Sequence, residues 1–351
     1  MVRRQPVAAL LILVLVAGCG GATTSSSPTV SGTPASGTPT ANLSSPTTSP
    51  SVPPSMIPTP APTATPTPVP ATPSPTIEPS PTPTTAGTMI VRAYLLLDDT
   101  RGEDPALVPV LRTVPKSAAT ARAGIEALLA GPSAKERAAK PPIESFVPAG
   151  TKLRGIDVAD GLATVDLSGG FATLAPEAAW DLGSFELRAR LAQVTYTLTQ
   201  FTTIERVSFE LDGKPVKEFV GLPDPETGAT EAIVVDKPVT RATYRDRFLP
   251  PIFVDRPAWG AALPDGSHVT GRTSVFEARF RMAVLDHGGK VLVEAPVMAS
   301  CGSGCWGRFD VTVSYVVPRA QWGTLRVWVI SEASGRPAAV REYPVYLRPA
   351  S

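Results

Sequence analysis

Two regions of the chain alternate apolar and polar residues with the periods of regular secondary structure. In the first region, a period of two predicts strands at residues 89–97, 107–114, 152–158, 162–167 and 204–211. Pro109 lies within the second strand and indicates an edge position or a bulge, because proline has no N–H to donate to a neighbouring strand. The turn Asp160-Gly161 joins the third and fourth strands as a hairpin.

The same region contains two stretches with helical spacing. Ser117 can cap a helix that runs to Ala130 and stops at Gly131-Pro132. A second helix is predicted from about Ser184. The apolar faces of the two helices consist of Ala121, Ile125, Leu128 and Leu129, and of Leu187, Leu191, Val194 and Leu198. We interpret the second face as core, and a partner-binding face is the alternative.

The order and spacing of these elements predict two folded domains. The order ββαββαβ over residues 88–221 favours a two-layer α+β domain. Residues 222–250 are charged, contain proline and show little periodicity, so we interpret them as a connector that leaves the domains some freedom. About seven short strands follow and predict an all-β sandwich over residues 251–348. They lie at 252–254, 267–271, 276–284, 291–295, 307–315, 324–330 and 340–347.

Residues 20–87 form a low-complexity segment of proline, threonine, serine and alanine. Glu78 is its single charged residue. Proline excludes helix, and the segment has too little apolar surface for a core. We therefore predict a disordered tether, which would reach on the order of 200 Å if fully extended.

The first 19 residues have the layout of a secretory signal. Arg3 and Arg4 precede an apolar stretch that is too short to span a bilayer and ends in small residues before Cys19. The sequence Leu-Val-Ala-Gly-Cys resembles the lipobox of bacterial lipoproteins. That resemblance implies that Cys19 becomes the lipid-bearing N-terminus on the outer face of the cell membrane. An ordinary secretory signal with a chance cysteine is the alternative.

Charge and cysteine content narrow the function further. The 32 Lys and Arg residues balance 31 Asp and Glu residues, so nothing favours a nucleic-acid partner. If lipid occupies Cys19, the other two cysteines, Cys301 and Cys305, can pair in an exported protein. Three small residues between them allow a tight loop. A structural disulfide is the favoured interpretation, and free thiols or a metal or redox pair are the alternatives.

No convincing catalytic set is present in the sequence. The two histidines, His268 and His287, are predicted in exposed turns, and neither belongs to a nucleophile motif. Four acidic residues, Asp98, Asp99, Glu103 and Asp104, fall in one loop without calcium-loop spacing, so a solvated loop is favoured over a Ca²⁺ site. We expect no metal and no cofactor.

Tryptophans are concentrated in the last domain. Trp259, Trp306, Trp322 and Trp328 all lie there, and we predict Trp259 and Trp306 in loops. Packing is the favoured role for these two. An exposed loop tryptophan would instead be an anchor for a protein or glycan partner.

Residues 88–221 resemble the GerMN domain of sporulation and germination proteins. The matching stretches are IEALLAGP (125–132), VPAGTKL (147–153), GLATVDLS (161–168) with Phe171, and QVTYTLTQF (193–201) leading to Val207 and Asp212-Gly213. Residues 251–347 resemble the immunoglobulin-like domain that often follows GerMN. The matching residues are IFV (252–254) with Pro257, VTG (269–271), VFEA (275–278), Leu285-Asp286, GRF (307–309) and LRV (325–327).

These resemblances imply a lipoprotein of the cell envelope that works through protein–protein contact and is not an enzyme. In some families such a lipoprotein accompanies a sensor kinase or an envelope regulator. Our leading hypothesis is a lipid-anchored adaptor with an envelope protein as partner. The alternative is a module that binds peptidoglycan or another wall carbohydrate, or a wall-modifying enzyme.

Overall fold

The structure is a computed structural model that describes residues 87–98, 105–175 and 180–349, with residues 180–182 described by backbone alone. The predicted signal, Cys19 and nearly all of the predicted tether lie outside these residues. So do Asp99, Glu103 and Asp104 of the acidic loop.

The first folded region contains two small sheets and two long helices. Sheet one has the strand order β2-β1-β3, and sheet two has the order β4-β5-β6-β7. The elements are β1 (Thr88–Leu97), β2 (Ala106–Pro115), α1 (Thr120–Leu129), α2 (Ala134–Arg137), β3 (Ile143–Glu144), β4 (Leu153–Ala159), β5 (Leu162–Leu167), α3 (Trp180–Leu198), β6 (Arg206–Leu211) and β7 (Lys214–Pro215). The predicted strands and both helices are confirmed, and Pro109 lies on the edge strand β2 as expected.

Both helices begin at residues other than those predicted. Helix α1 starts at Thr120, and the Ser117 hydroxyl accepts a hydrogen bond from the N–H of Ala119 in the turn before it, at 3.0 Å. Helix α3 starts at Trp180, four residues before Ser184. Ser184 is therefore an internal helical residue with a buried side chain and does not cap the helix.

The apolar face of α3 is core. Its four predicted positions, Leu187, Leu191, Val194 and Leu198, have no exposed surface. The other side chains that α3 and the turn after it direct at β1 are polar and complete the hydrogen bonding of that strand. Gln200 accepts from the N–H of Arg92 at 2.8 Å and donates to the carbonyl of Arg92 at 2.6 Å.

The backbone N–H and carbonyl of Tyr94, two residues further along β1, are hydrogen-bonded in the same way. Thr197 accepts a hydrogen bond from the N–H of Tyr94 at 3.1 Å, and Gln193 donates to its carbonyl at 3.2 Å. Strand β3 pairs with β1 only at its far end, through Leu96 and Leu97. Along the rest of that edge, side chains from α3 and the turn after it make the hydrogen bonds that a neighbouring strand would otherwise make. They satisfy backbone groups that burial would leave unpaired.

Residues 222–250 do not form a loose connector. They contain β9 and α4, and β9 pairs with β8. Val239 exchanges two backbone hydrogen bonds with Val207 of β6, at 2.8 and 2.9 Å. Tyr244 and Phe248 on α4 are buried. These elements are β8 (Glu218–Val220), β9 (Ala232–Val234) and α4 (Arg241–Phe248).

The second folded region is the predicted two-sheet sandwich. One sheet has the order β10-β12-β15, and the other has the order β11-β17-β16-β13-β14. The strands are β10 (Ile252–Arg256), β11 (Ala262–Pro264), β12 (Ser267–Thr273), β13 (Arg279–Leu285), β14 (Val291–Met298), β15 (Gly307–Val313), β16 (Gln321–Ile330) and β17 (Pro337–Arg348). The strand predicted from residue 276 begins only at Arg279, because Phe276–Ala278 form a 3-10 turn.

The described residues form one compact unit in which the two regions share a buried core. A single apolar cluster includes Val110 of β2, Phe248 of α4 and Phe253 of β10. The N–H of Trp259 also donates to the carbonyl of Pro109 on the edge strand, at 2.9 Å. The interdomain freedom that the sequence suggested is therefore not found.

Replacing Leu191 by alanine tests whether α3 holds this core. We expect Leu191→Ala to lower the free energy of unfolding by about 2–5 kcal/mol, because it leaves a cavity at a position without solvent access. The control Leu111→Ala, at a position 39% exposed, should cost less than about 1 kcal/mol. Chemical denaturation of the two variants measures both values, and equal losses would contradict the packing described here.

Candidate functional site

A groove with a volume of about 530 Å³ lies where α3 and α4 face the sheet β10-β12-β15. Its charged lining consists of Arg241, Arg245, Arg272, Arg308, Asp255 and Asp310. Four arginines against two aspartates leave the lining of this groove positively charged.

The sheet places two of these arginines side by side. Strand register pairs Phe253 with Arg272, and Arg272 with Arg308, so the three residues form one row across the outward face. The next row contains Thr270 opposite Asp310. Because alternate residues of a strand face the same side, both rows point toward the helices.

Helix α4 supplies the arginines on the opposite wall. Its first residue is Arg241, and Arg245 follows one turn later on the same side. The helix start is fixed by Thr240, whose N–H donates to the hydroxyl of Thr243 at 3.1 Å. The backbone pairing of Val239 with Val207 holds the residue before that start.

Arg241 is held in the wall formed by α4 through several hydrogen bonds and aromatic contacts. Its Nε donates to the Thr199 hydroxyl at 2.8 Å, and its Nη2 donates to the Tyr196 carbonyl at 3.1 Å and to the Tyr94 hydroxyl at 3.2 Å. The guanidinium also lies over both tyrosine rings, 4.8 and 5.1 Å from their centroids. Burial opposes the charged form, but the negative charge of Asp255 and the hydroxyl of Tyr94 raise the pKa of Arg241 overall.

Tyr94 carries this network into the second region. Its hydroxyl donates to Asp255 Oδ1 at 2.6 Å, and Arg92 lies 3.7 Å from the other carboxylate oxygen. Burial raises the pKa of Tyr94 to about 12, so the hydroxyl remains a donor at neutral pH. One half-buried cation on helix α4 therefore lies against strand β1 and near Asp255 of strand β10.

Arg272 and Arg308 have a different environment. Burial lowers the pKa of Arg272, and the positive charge of Arg308 and of the two α4 arginines lowers it further. Among the described residues, neither guanidinium donates a hydrogen bond or forms an ion pair within 4 Å. Both residues line the groove, where Arg272 is partly buried and Arg308 is exposed.

The rim of the groove contains an aromatic side chain from the loop before β15. The indole Nε1 of Trp306 donates to Asp246 Oδ1, and the Arg245 guanidinium lies 5.6 Å from the ring centroid. Trp259, the other loop tryptophan, has different surroundings. Trp259 and Trp306, the two loop tryptophans singled out from the sequence, therefore do not form one binding surface.

Trp259 lines a second cavity of about 450 Å³ together with Trp322, Pro141 and Glu342. The Lys135 ammonium lies over the Trp322 ring, 4.1 Å from its centroid. Trp328 is buried in a small cluster with Ala283 and Leu285 that is separate from the main core. The second cavity thus combines aromatic surface with one carboxylate and three cationic side chains, those of Lys135, Lys140 and Arg341.

The two histidines lie on different elements of the sandwich. His268 lies on β12, not in a turn, and its Nδ1 is 2.6 Å from Asp310 Oδ1. Its side chain is exposed, as predicted. His287 lies in the turn between β13 and β14. In the part of the chain that the structure describes, no three His, Cys, Asp or Glu side chains are grouped as a metal site.

Cys301 and Cys305 form a disulfide, with their Cα atoms 6.0 Å apart. The loop that it closes packs against the 3-10 turn at Phe276–Ala278. The Ser303 hydroxyl accepts a hydrogen bond from the N–H of Glu277 at 3.0 Å. A Cβ at Gly302 would lie 2.1 Å from the nitrogen of Ala278, so only glycine fits this approach.

The acidic loop is described only at Asp98. Its backbone N–H donates to the carbonyl of Pro142 at 3.0 Å, which joins the end of β1 to the segment before β3.

None of the helices in residues 87–98, 105–175 and 180–349 combines the length and the apolar composition that a membrane-spanning helix requires.

Comparison with known families agrees with this geometry. Residues 92–217 match the family described as "Sporulation and spore germination", and residues 251–336 match the "Immunoglobulin-like domain of bacterial spore germination". The chain carries a GerMN domain followed by a spore-germination immunoglobulin-like domain. No curated protein sequence matches the chain significantly.

Three solved structures are similar to parts of the chain. The first GerMN domain of the sporulation protein GerM from Bacillus subtilis is 22% identical and matches over 42% of this chain and 99% of its own, with a TM-score of 0.29. The tandem GerMN domains of the same protein are 16% identical over 65% and 62%, with a TM-score of 0.31. A provisionally assigned lipoprotein from Clostridium perfringens is 20% identical over 44% and 94%, with a TM-score of 0.25.

The sequence analysis missed the arginine-lined groove. Arg241 and Arg245 have helical spacing, but they lie in a segment too short and too polar to be recognised as a helix. Arg272 and Arg308 are 36 residues apart in the sequence, and only the register of β12 with β15 brings them together. The polar face of α3 was part of the GerMN resemblance, yet its role in completing β1 needs the sheet.

Removing the Arg241 guanidinium tests the network that joins the GerMN and immunoglobulin-like domains. We expect Arg241→Met to lower the free energy of unfolding by about 3 kcal/mol, because it removes the three hydrogen bonds that the guanidinium donates to Thr199, Tyr94 and Tyr196 and one of the two positive charges near Asp255. The control Arg326→Met removes an exposed pair with Glu342 and should cost less than about 1 kcal/mol. Thermal and chemical unfolding measure both, and a loss at Arg241 no larger than the control would contradict the assignment.

Proposed function

We propose that this protein is a lipid-anchored, non-catalytic adaptor on the outer face of the cell membrane, and that it binds a protein of the cell envelope. The lipobox-like sequence ending at Cys19 and the predicted tether support the anchoring and the reach. The matched families, which are described by sporulation and spore germination, support a role outside metabolism.

The observation that carries the proposal is an exposed apolar surface on the immunoglobulin-like domain. Phe276 is 62% exposed and Ile330 is 45% exposed, and both line a shallow groove of about 690 Å³. Met298, 65% exposed, pairs with the groove residue Arg279 across β13 and β14. We call Phe276, Met298 and Ile330 the apolar patch.

The apolar patch has the character of a protein-binding surface. Burying one such side chain stabilises a complex by about 1.5–3 kcal/mol, and clustered exposed apolar residues commonly mark interaction sites. Charged residues surround the groove, including Glu277, Arg281 and Glu332. An apolar centre with a polar rim is the usual arrangement of a protein–protein interface.

The joined domains favour a scaffold over a flexible linker. The half-buried cation Arg241 and the shared core fix the GerMN domain against the immunoglobulin-like domain. A partner that binds the patch is therefore held at a defined place relative to the GerMN surface. The predicted tether supplies the mobility that the domains lack.

Cross-linking in intact cells tests the adaptor. We expect the full chain to capture a specific envelope protein, and expect Phe276→Ser and Ile330→Ser to reduce its yield at least about tenfold, as for central interface residues. The control Val316→Ser changes an apolar residue that is 89% exposed and lies outside the groove, and it should keep the yield. Undiminished capture by both patch variants, with wild-type thermal stability, would exclude this surface.

A wall carbohydrate is the second candidate partner, and the cavity beside Trp259 and Trp322 favours it. Sugar rings stack on aromatic faces, and the cavity adds the polar side chains of Glu342 and Lys140. Glu342 is the only carboxylate among its described lining residues, whereas glycoside hydrolysis uses a pair. Binding without cleavage is therefore the version that this cavity supports.

Sedimentation with isolated peptidoglycan tests the second candidate. We expect Trp322→Ala to weaken binding at least about tenfold, since tryptophan is among the residues that carry most of the binding energy at interfaces. Trp306→Ala is the matched control, because Trp306 lies at the other groove and should not affect binding. Binding that survives both Trp322→Ala and Trp259→Ala would remove this cavity from consideration.

A further inference from the structure

We propose that the groove between α4 and the sheet β10-β12-β15 binds a phosphate group, held mainly by Arg272 and Arg308 with Arg245 from the opposite wall. This site is separate from the apolar patch and from the Trp259 cavity. It adds a small-anion ligand to the proposed adaptor and does not depend on that role.

The first argument is the placement of Arg272 and Arg308. They are direct cross-strand neighbours on the same face of β12 and β15. Like charges directly opposite each other destabilise a sheet, so the pair is not explained by a contribution to stability. An anion between the two guanidiniums would convert this repulsion into attraction.

The second argument is that the donors of these two side chains are unused. Among the described residues, neither guanidinium makes a hydrogen bond or a close ion pair. By contrast, Arg241 uses Nε and Nη2 for three hydrogen bonds within the protein. Arg241 thus builds the wall, whereas Arg272 and Arg308 present their N–H groups to the groove.

The third argument is that the aspartates of the groove are already engaged. Asp255 accepts from the Tyr94 hydroxyl at 2.6 Å and faces Arg92. Asp310 lies 2.6 Å from His268 Nδ1. Neither aspartate lies within 4 Å of the Arg272 or Arg308 guanidinium, whereas Arg245 pairs with Asp246 outside the lining at 3.4 Å.

The shape of the donors and the size of the groove point to phosphate. A guanidinium presents paired N–H groups that match two oxygens of one phosphate, and several guanidiniums together suit a tetrahedral dianion. The volume of about 530 Å³ exceeds that of the phosphate itself, so the group can be free or attached to a larger molecule. Partial desolvation at Arg272 strengthens the attraction, because screening by water is weaker there.

Titration of the full chain in detergent with inorganic phosphate, at constant ionic strength set with chloride, tests the site. We expect saturable binding by calorimetry, and a rise in Tm of about 3 °C at ten times the Kd. Arg272→Gln and Arg308→Gln should each weaken binding at least tenfold. The control Arg326→Gln removes a guanidinium from the other sheet and should bind as the wild type does.

Stability without phosphate separates a ligand site from a structural role. If Arg272 and Arg308 serve to bind an anion, each glutamine variant should unfold at the wild-type Tm or above it in phosphate-free buffer, because the repulsion between the two like charges is removed. A lower Tm in phosphate-free buffer for both variants would show that they hold the fold, and it would overturn the proposal. The proposal would equally be overturned if the wild type showed no saturable binding at phosphate concentrations up to about 10 mM, a range that covers weak binding with a Kd in the millimolar range.

A short-chain phosphatidylglycerol, titrated in the same detergent, distinguishes the source of the phosphate. Binding that requires Arg308 and is displaced by inorganic phosphate assigns the site to a lipid headgroup. Phosphate binding without any response to the lipid assigns it to the free anion. Both outcomes support the shared chemistry, and lipid binding that is unchanged in Arg308→Gln would count against it.

Discussion

Arg241 carries a positive charge into the boundary between the two folded regions, and the arrangement of both regions depends on how that charge is satisfied. Three hydrogen bonds, two tyrosine rings and the nearby Asp255 compensate for the water that the guanidinium loses. Buried charges tolerate little displacement, because removing one partner leaves the other unpaired in a medium of low dielectric constant. The network therefore fixes a relative orientation as well as adding stability.

The same network explains why the groove exists. Helix α4 is held by Arg241 at its first residue and by Phe248 at its last turn, so it stands above the sheet β10-β12-β15 and does not collapse onto it. Phe253 fills the space under Tyr196, whereas Arg272 and Arg308 in the same row remain facing the gap. Packing on one side of the row thus leaves a charged cavity on the other.

The regular part of the fold could be predicted from the sequence because its signals are local. The four apolar residues of the α3 face, from Leu187 to Leu198, repeat at helical spacing, and the hairpin turn at Asp160-Gly161 carries its own turn chemistry. Residues 222–250 resisted prediction because each buried residue there, such as Val239 or Tyr244, is held by a different neighbour and leaves no period. Arg272 and Arg308 could not be paired in advance, since their proximity is a property of register. The disulfide loop lay between these cases: its short spacing was visible, but its packing against Ala278 was not.

The side chains of α3 and of the turn after it that complete β1 have a consequence for assembly. A strand with free N–H and C=O groups can recruit a strand from another molecule, and Gln193, Thr197 and Gln200 occupy those groups on β1. Trp259 blocks part of the opposite edge through its bond to Pro109 on β2. Growth of the first sheet by strand addition is thereby closed off at its centre. Strand addition by a partner or a second copy is therefore favoured at outer strands of the other sheets, such as β4 and β14, where side chains are largely exposed.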